Sequence, residues 1–158
     1  MDKVAIVINP VSGKGSGARF YQKIVNAPIV KNANVSFFLT EKPLHATEIL
    51  KDISTKFDRI IICGGDGTLH EVINGFDIKS NAIFGLIPIG SGNDFSLSFH
   101  NKKNAPILLL EYYLSQNPSL RPVDFGEIQI IDSHGAEFKR RMINSFGVGF
   151  DAKVAFYN

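Results

Sequence analysis

Apolar residues recur along this chain in two rhythms. Val4-Ala5-Ile6-Val7-Ile8 is a short unbroken apolar run, rich in β-branched residues and free of polar alternation. Such a run predicts a strand covered on both faces of a parallel sheet. Asn34–Thr40 around Val35-Ser36-Phe37-Phe38-Leu39, Arg59–Cys63 and Ala82–Ile89, with Pro88 near its end, repeat the pattern. Between them the spacing turns helical. It predicts a helix over Ala18–Val25 with Phe20, Ile24 and Val25 inward, and a second over Ala46–Ile53 with Ile49, Leu50 and Ile53 inward. Further helices are predicted over Thr68–Phe76 and Ala105–Ser115, with a short helical piece near Phe95–Phe99. Strands alternating with helices predict an α/β fold, a three-layer αβα arrangement around a mostly parallel sheet, with right-handed crossovers.

The pattern changes near Pro118. Phe125–Asp132 reads as a strand, Ser133-His134-Gly135 as a turn, and Glu137–Ser145 as the returning strand of a hairpin. A lone hairpin is marginal in water and needs further strands or a partner. The division expected is therefore residues 1–120 as an α/β domain and 121–158 as the first, incomplete strands of a β-rich second domain. An open strand edge invites association, so a homo-oligomer through the hairpin is one expected partner arrangement.

Composition narrows the function only slightly. The 158 residues are 44% hydrophobic and 20% charged, with a net charge of +2. That charge is too small to point to nucleic acid. The single cysteine, Cys63, excludes an internal disulfide and reads as a small buried residue at a strand end. No apolar stretch approaches the roughly 20 residues of a membrane-spanning helix, and a cytoplasmic location is expected. His45, His100 and His134 lack the spacing of zinc ligands. Lys139-Arg140-Arg141 reads as the solvated face of the hairpin.

The chemistry is concentrated in three glycine-bearing loops. They are Asn9–Gly17, Gly64–Thr68 and Gly90–Asp94, each following a predicted strand and leading into a predicted helix. In a parallel sheet such loops leave at one edge, where ligands bind at the point of strand-order reversal. Three helix N-termini are expected there, offering unpaired N–H groups to an anion such as a polyphosphate. Thr68 and Glu71 have capping-box spacing. Asp66, a carboxylate among phosphate donors, requires a bridging cation or a role as a base. Gly13-Lys14 fails as a Walker A loop, because Ile8 stands where the first glycine belongs and Gly15 follows the lysine. Gly13-x-Gly15-x-x-Ala18, with Glu41 after the second strand, fits the dinucleotide fingerprint in letters. However, Gly13 lies five residues past the strand, too far for that motif.

These residues resemble a known family. Asn9-Pro10-x-Ser12-Gly13-Lys14-Gly15, Gly64-Gly65-Asp66-Gly67-Thr68-Leu69-His70-Glu71-Val72-x-Asn74-Gly75 and Pro88-x-Gly90-Ser91-Gly92-Asn93-Asp94-Phe95 are similar to the three motifs of the diacylglycerol kinase-type lipid kinases, which include the sphingosine and ceramide kinases. Thr40-Glu41-Lys42 resembles a further short motif, and Asn144-x-Phe146-Gly147-x-Gly149-Phe150-Asp151-Ala152 the crossover into the second domain.

The resemblance implies an N-terminal domain that binds ATP with Mg²⁺ and a β-sandwich that holds the lipid. Carried over by position, Asn9, Pro10, Val11, Ser12, Gly13, Thr40, Gly65, Asp66, Gly67, Thr68, Leu69, His70, Glu71 and Ser91 would line the nucleotide. Asp66 would be the catalytic residue, acting through Mg²⁺ or as a base. A lipid hydroxyl at the membrane surface would take the γ-phosphoryl group. Family members are longer, and in the bacterial ones a catalytic carboxylate and a structural Mg²⁺ site lie in the part not present here. The chain alone is therefore expected to bind nucleotide weakly or not at all and to turn over no lipid. Two alternatives stand beside this reading. One is an NAD kinase, which shares a Gly-Gly-Asp-Gly-Thr loop; the other is a catalytically dead nucleotide-binding or interaction module.

Overall fold

The fold is described from a computed structural model, which describes residues 2–98, 105–115 and 118–144. Four parallel strands form the main sheet: β1 (Val4–Ile8), β2 (Val35–Leu39), β3 (Arg59–Gly64) and β4 (Ile83–Pro88). Their order is β2-β1-β3-β4. The continuous apolar runs have a direct structural cause, because alternate residues go to opposite faces and both faces are covered. Val4, Ile6, Ile8, Ile61, Cys63 and Ile87 pack under α1 (Ser12–Ile24), α2 (Pro28–Lys31) and α6 (Pro106–Leu114). Ala5, Val7, Ile60 and Ile62 pack under α3 (His45–Ile53) and α4 (Asp66–Gly75). The expected αβα layering and parallel sheet are thus observed.

The differences are local. Four residues, Pro28–Lys31, form a helical turn that the hydrophobic spacing did not announce; it begins on a proline, whose fixed φ suits a first helical position. α1 opens with a left-handed turn at Gly13, Lys14 and Gly15, so its regular helical part begins only after Gly15, close to the expected Ala18. The third long helix starts at Asp66, two residues before the expected Thr68. The short piece near Phe95 is α5 (Asp94–Leu97); Phe99 lies outside the described residues.

Register sets up the site. Ile8 lies opposite both Leu39 and Cys63, and Gly64 opposite Pro88. The strands therefore end level. The ladder continues one step further: Thr40 N–H donates to Ile8 O, Asn9 N–H to Cys63 O, and Ile89 N–H to Gly64 O. β1 connects outward to β2, while β3 connects the other way to β4. The reversal point falls between β1 and β3, beneath Asn9 and Gly65.

A separate antiparallel hairpin, β5 (Gly126–Ile131) and β6 (Glu137–Met142), packs against α4 through β6. Lys139 and Arg140 are exposed as expected, but Arg141 is not part of a solvated face. It is half-buried, and its guanidinium donates to the carbonyls of Ile73 (3.0 Å) and Phe76 at the end of α4. Of the crossover motif, residues 145–152 lie outside the described residues.

Candidate functional site

The three glycine loops do converge, and they touch through backbone. At Gly13 (φ +57°) an added Cβ would sit 2.1 Å from the Ile89 carbonyl oxygen, so the first loop lies directly on the third. At Gly90 a Cβ would sit 2.4 Å from Gly65 Cα, so the third loop lies on the second. The first and second loops are tied by side chains: Asn9 Nδ2 donates to Thr68 Oγ1 at 3.0 Å. Asn9 Oδ1 meanwhile accepts from Val11 N–H at 3.2 Å, which turns its own loop. Only glycine permits backbone approaches this close.

At the centre is the start of α4. Gly65 is its N-cap residue, extended, with no side-chain cap hydrogen bond. The capping box expected from Thr68 and Glu71 is therefore corrected. Thr68 is buried in the first turn, wedged under Gly64 and bonded to Asn9. Glu71 instead reaches sideways: its Oε2 accepts the N–H of Ala46 at 3.1 Å, and its carbonyl accepts from Thr47 Oγ1 at 2.8 Å. Glu71 thus caps α3, a neighbour that sequence spacing within α4 could not reveal. Gly67 is exposed, and a Cβ there would meet nothing within 4 Å. The first-turn amides of α4 have no intrahelical acceptor.

Asp66 is held from the other side. Its Oδ2 accepts Asp94 N–H at 3.0 Å and its Oδ1 accepts Phe95 N–H at 3.2 Å. These are the first-turn amides of α5, so a carboxylate of the second loop caps the helix of the third. The expectation of three open helix N-termini is corrected accordingly. The α5 amides are occupied, α1 opens on a left-handed turn, and α4 alone presents a regular first turn to the edge. Gly92 sits between two carboxylates: a Cβ there would lie 3.3 Å from Asp66 Oδ2 and 3.9 Å from Asp94 Oδ1.

The remaining candidates divide into those at the edge and those turned away. Pro10 gives its carbonyl to Ala18 N–H at 3.0 Å. Val11 is 79% exposed, Ser12 partly so, and both lie in the first loop. Thr40 is level with Asn9 at the end of β2. Ser91 is exposed in the third loop, and His70 is exposed on α4 with Nε2 3.5 Å from Asn74 Nδ2. Leu69 turns inward, 5% exposed among the residues between the sheet and α3. It belongs to the core. One residue outside the candidate set completes the third loop: Asn93, left-handed at φ +61°, donates from Nδ2 to Gly90 O at 2.6 Å. Its signal was an Asn in a glycine-rich turn, a residue type that tolerates this conformation.

The chemistry available is anion binding beside a carboxylate. Among the described residues no group of three His, Cys, Asp or Glu forms a metal cage. Mg²⁺ does not need one, because it is commonly held by one or two carboxylates together with substrate phosphates. Asp66 and Asp94, flanking Gly92, fit that requirement. Cys63 is fully buried and desolvation pushes its thiol strongly upward, so it is not a nucleophile.

Comparison with known proteins gives the family. The diacylglycerol kinase catalytic domain model matches residues 3–128. YtlR of Bacillus subtilis, assigned as a lipid kinase, is 34% identical over 152 residues, covering 94% of this chain and 48% of its own length. A diacylglycerol kinase of Staphylococcus saprophyticus is 37% identical over 100 residues, covering 62% of this chain and 33% of its own. In structure, a Bacillus anthracis protein assigned as a diacylglycerol kinase superposes with a TM-score of 0.66 at 28% identity, over 86% of this chain and 47% of that one. This chain therefore spans less than half the length of each of these three relatives. A parallel α/β sheet, three interlocked glycine loops at its reversal point, and a family match across most of the sequence lead to one conclusion: the chain belongs to the diacylglycerol kinase catalytic domain family.

Proposed function

We propose that this chain is the nucleotide-binding part of an ATP-dependent lipid kinase, which transfers the γ-phosphoryl group to the hydroxyl of a diacylglycerol-like lipid. One observation carries the reading: the three glycine loops are locked together around the open first turn of α4. That turn would receive phosphate oxygens on backbone N–H groups, aided by the helix dipole. Asn9 and Thr68 would hold the first two loops in register, and Asp66 would hold the third through Asp94 and Phe95. Asp66 and Asp94 would bind Mg²⁺ together with the phosphates; bound there, Mg²⁺ supplies neutralisation of phosphate charge.

In this reading residues 1–120 are the ATP domain and 121–158 the start of the lipid-holding domain. The protein works in the cytoplasm at the membrane surface, and its product feeds phospholipid metabolism. Among the described residues no helix is long and apolar enough to cross a membrane.

Calorimetric titration of the chain with Mg²⁺–ATP and with NAD tests the reading. Heat of binding from Mg²⁺–ATP and none from NAD, even if weak, supports it, whereas binding of NAD alone removes its support. A second reading, an interaction module, is favoured by the exposed Ile130, Ile131 and Phe138 on the hairpin. A tight dimer by light scattering that ignores ATP would select it.

A further inference from the structure

We propose that Asn74 is a positioning residue that fixes the β5–β6 hairpin to the far end of the helix whose near end carries Asp66. Its side-chain amide pairs with the backbone of one residue in both senses. Oδ1 accepts Arg141 N–H at 2.9 Å, and Nδ2 donates to Arg141 O at 2.9 Å. This is the double bond pattern that a neighbouring strand would supply, so Asn74 stands in for a strand at the outer edge of β6. Nδ2 also donates to His70 O at 2.9 Å, which holds the amide in place on its own helix.

The Arg141 side chain closes the contact from the other direction. Its guanidinium donates to the carbonyls of Ile73 and Phe76, which the end of α4 leaves without intrahelical partners. A cation there also complements the negative end of the helix dipole. The same guanidinium lies 5.6 Å from the centre of the Phe125 ring, just before β5. Ile73, Phe76, Phe125 and Ile143 line an apolar cavity of about 560 Å³ between α4, β4 and α6, so the Asn74–Arg141 contact holds one wall of that cavity.

The consequence is mechanical. α4 is bonded at its start to the third loop through Asp66, midway to α3 through Glu71, and at its end to the hairpin through Asn74. At ten residues it is about 15 Å long. One rigid helix thus sets the distance between the glycine loops and the hairpin. The contact itself does not depend on what the loops bind; its value to a phosphoryl transfer rests on the nucleotide reading above.

Backbone hydrogen exchange on the chain tests this, with Asn74→Ala and Asn74→Asp compared with wild type. Asn74→Ala is expected to speed exchange of the Arg141 amide and its hairpin neighbours at least tenfold while β1 and β3 keep their protection. Asn74→Asp retains the acceptor and loses the donor, so it is expected to fall between; should Asn74→Ala not fold, it carries the comparison. Mg²⁺–ATP affinity is expected to stay within twofold of wild type. Unchanged hairpin exchange, or equal loosening of β1 and β3, overturns the proposal. A wild-type chain that binds NAD and not Mg²⁺–ATP sinks the nucleotide reading, and the exchange rates still decide the role of Asn74.

Discussion

Lys14 has a left-handed backbone, φ +55°, between two left-handed glycines. Its side chain is exposed, and its carbonyl accepts from Arg19 Nη1 at 3.4 Å. For a residue with a Cβ this conformation costs about 1–2 kcal/mol, against about 0.5–1 kcal/mol of extra backbone entropy lost by a glycine. Lys14→Gly is therefore expected to raise the urea midpoint, by up to roughly 1 kcal/mol in unfolding free energy, whereas Lys14→Ala gives no gain. Tyr113 offers a test by pH. Burial pushes its phenol upward, and its O–H donates to Leu86 O at 3.2 Å. The folded pKa lies above the unfolded one, so the native state prefers the neutral phenol. This contribution is complete below about pH 10 and is lost as pH rises through the folded value. Tyr113→Phe is expected to flatten the alkaline arm of the stability profile while costing about 1 kcal/mol near neutrality; an unchanged alkaline arm would refute the assignment.

At the scale of elements, α3 and α4 owe their spacing to one residue. A Cβ on Gly75 would lie 2.3 Å from Thr47 O and 2.8 Å from Thr47 Cα, both backbone atoms that cannot step aside. Gly75→Ala is expected to cost about 1–3 kcal/mol by forcing the helices apart, read as a lower midpoint in chemical denaturation. It should also disturb the Glu71–Ala46 cap that depends on the same contact. The elements themselves were legible in the sequence, because unbroken runs such as Ile60-Ile61-Ile62 have few alternatives to a strand covered on both faces. The convergence of the loops was legible too, since it follows from parallel topology. What was not legible were the duties of individual polar residues. Asp66, Thr68 and Glu71 share one motif and one helix, yet they bond to three different elements: α5, the first loop and α3. Local spacing carries no information about which helix lies alongside. Pro28–Lys31 escaped for a different reason, being a single turn with too few residues to show a period.

Over the whole molecule, helices cover both faces of the parallel sheet, while the hairpin keeps apolar residues in solvent. On one face of it Ile128, Ile130, Phe138 and Met142 align, and Ile130 and Phe138 are 40% and 50% exposed. Among the described residues no further strand or helix covers that face of the hairpin. The chain on its own, given Mg²⁺–ATP and diacylglycerol vesicles, is accordingly expected to transfer no phosphate to lipid. Labelled phosphatidic acid formed by the purified chain would overturn that expectation. The Asn74–Arg141 pairing bears on how such a sheet could be completed. At the level of Arg141 the outer edge of β6 already has its donor and acceptor satisfied by a side chain. A strand arriving there, from this polypeptide or another copy, would have to displace Asn74 first. Among the described residues the outer edge of β5 faces no such competitor at that level, so growth of the sheet is expected to be polar: it would proceed on the side away from the helix, with α4 as its fixed boundary.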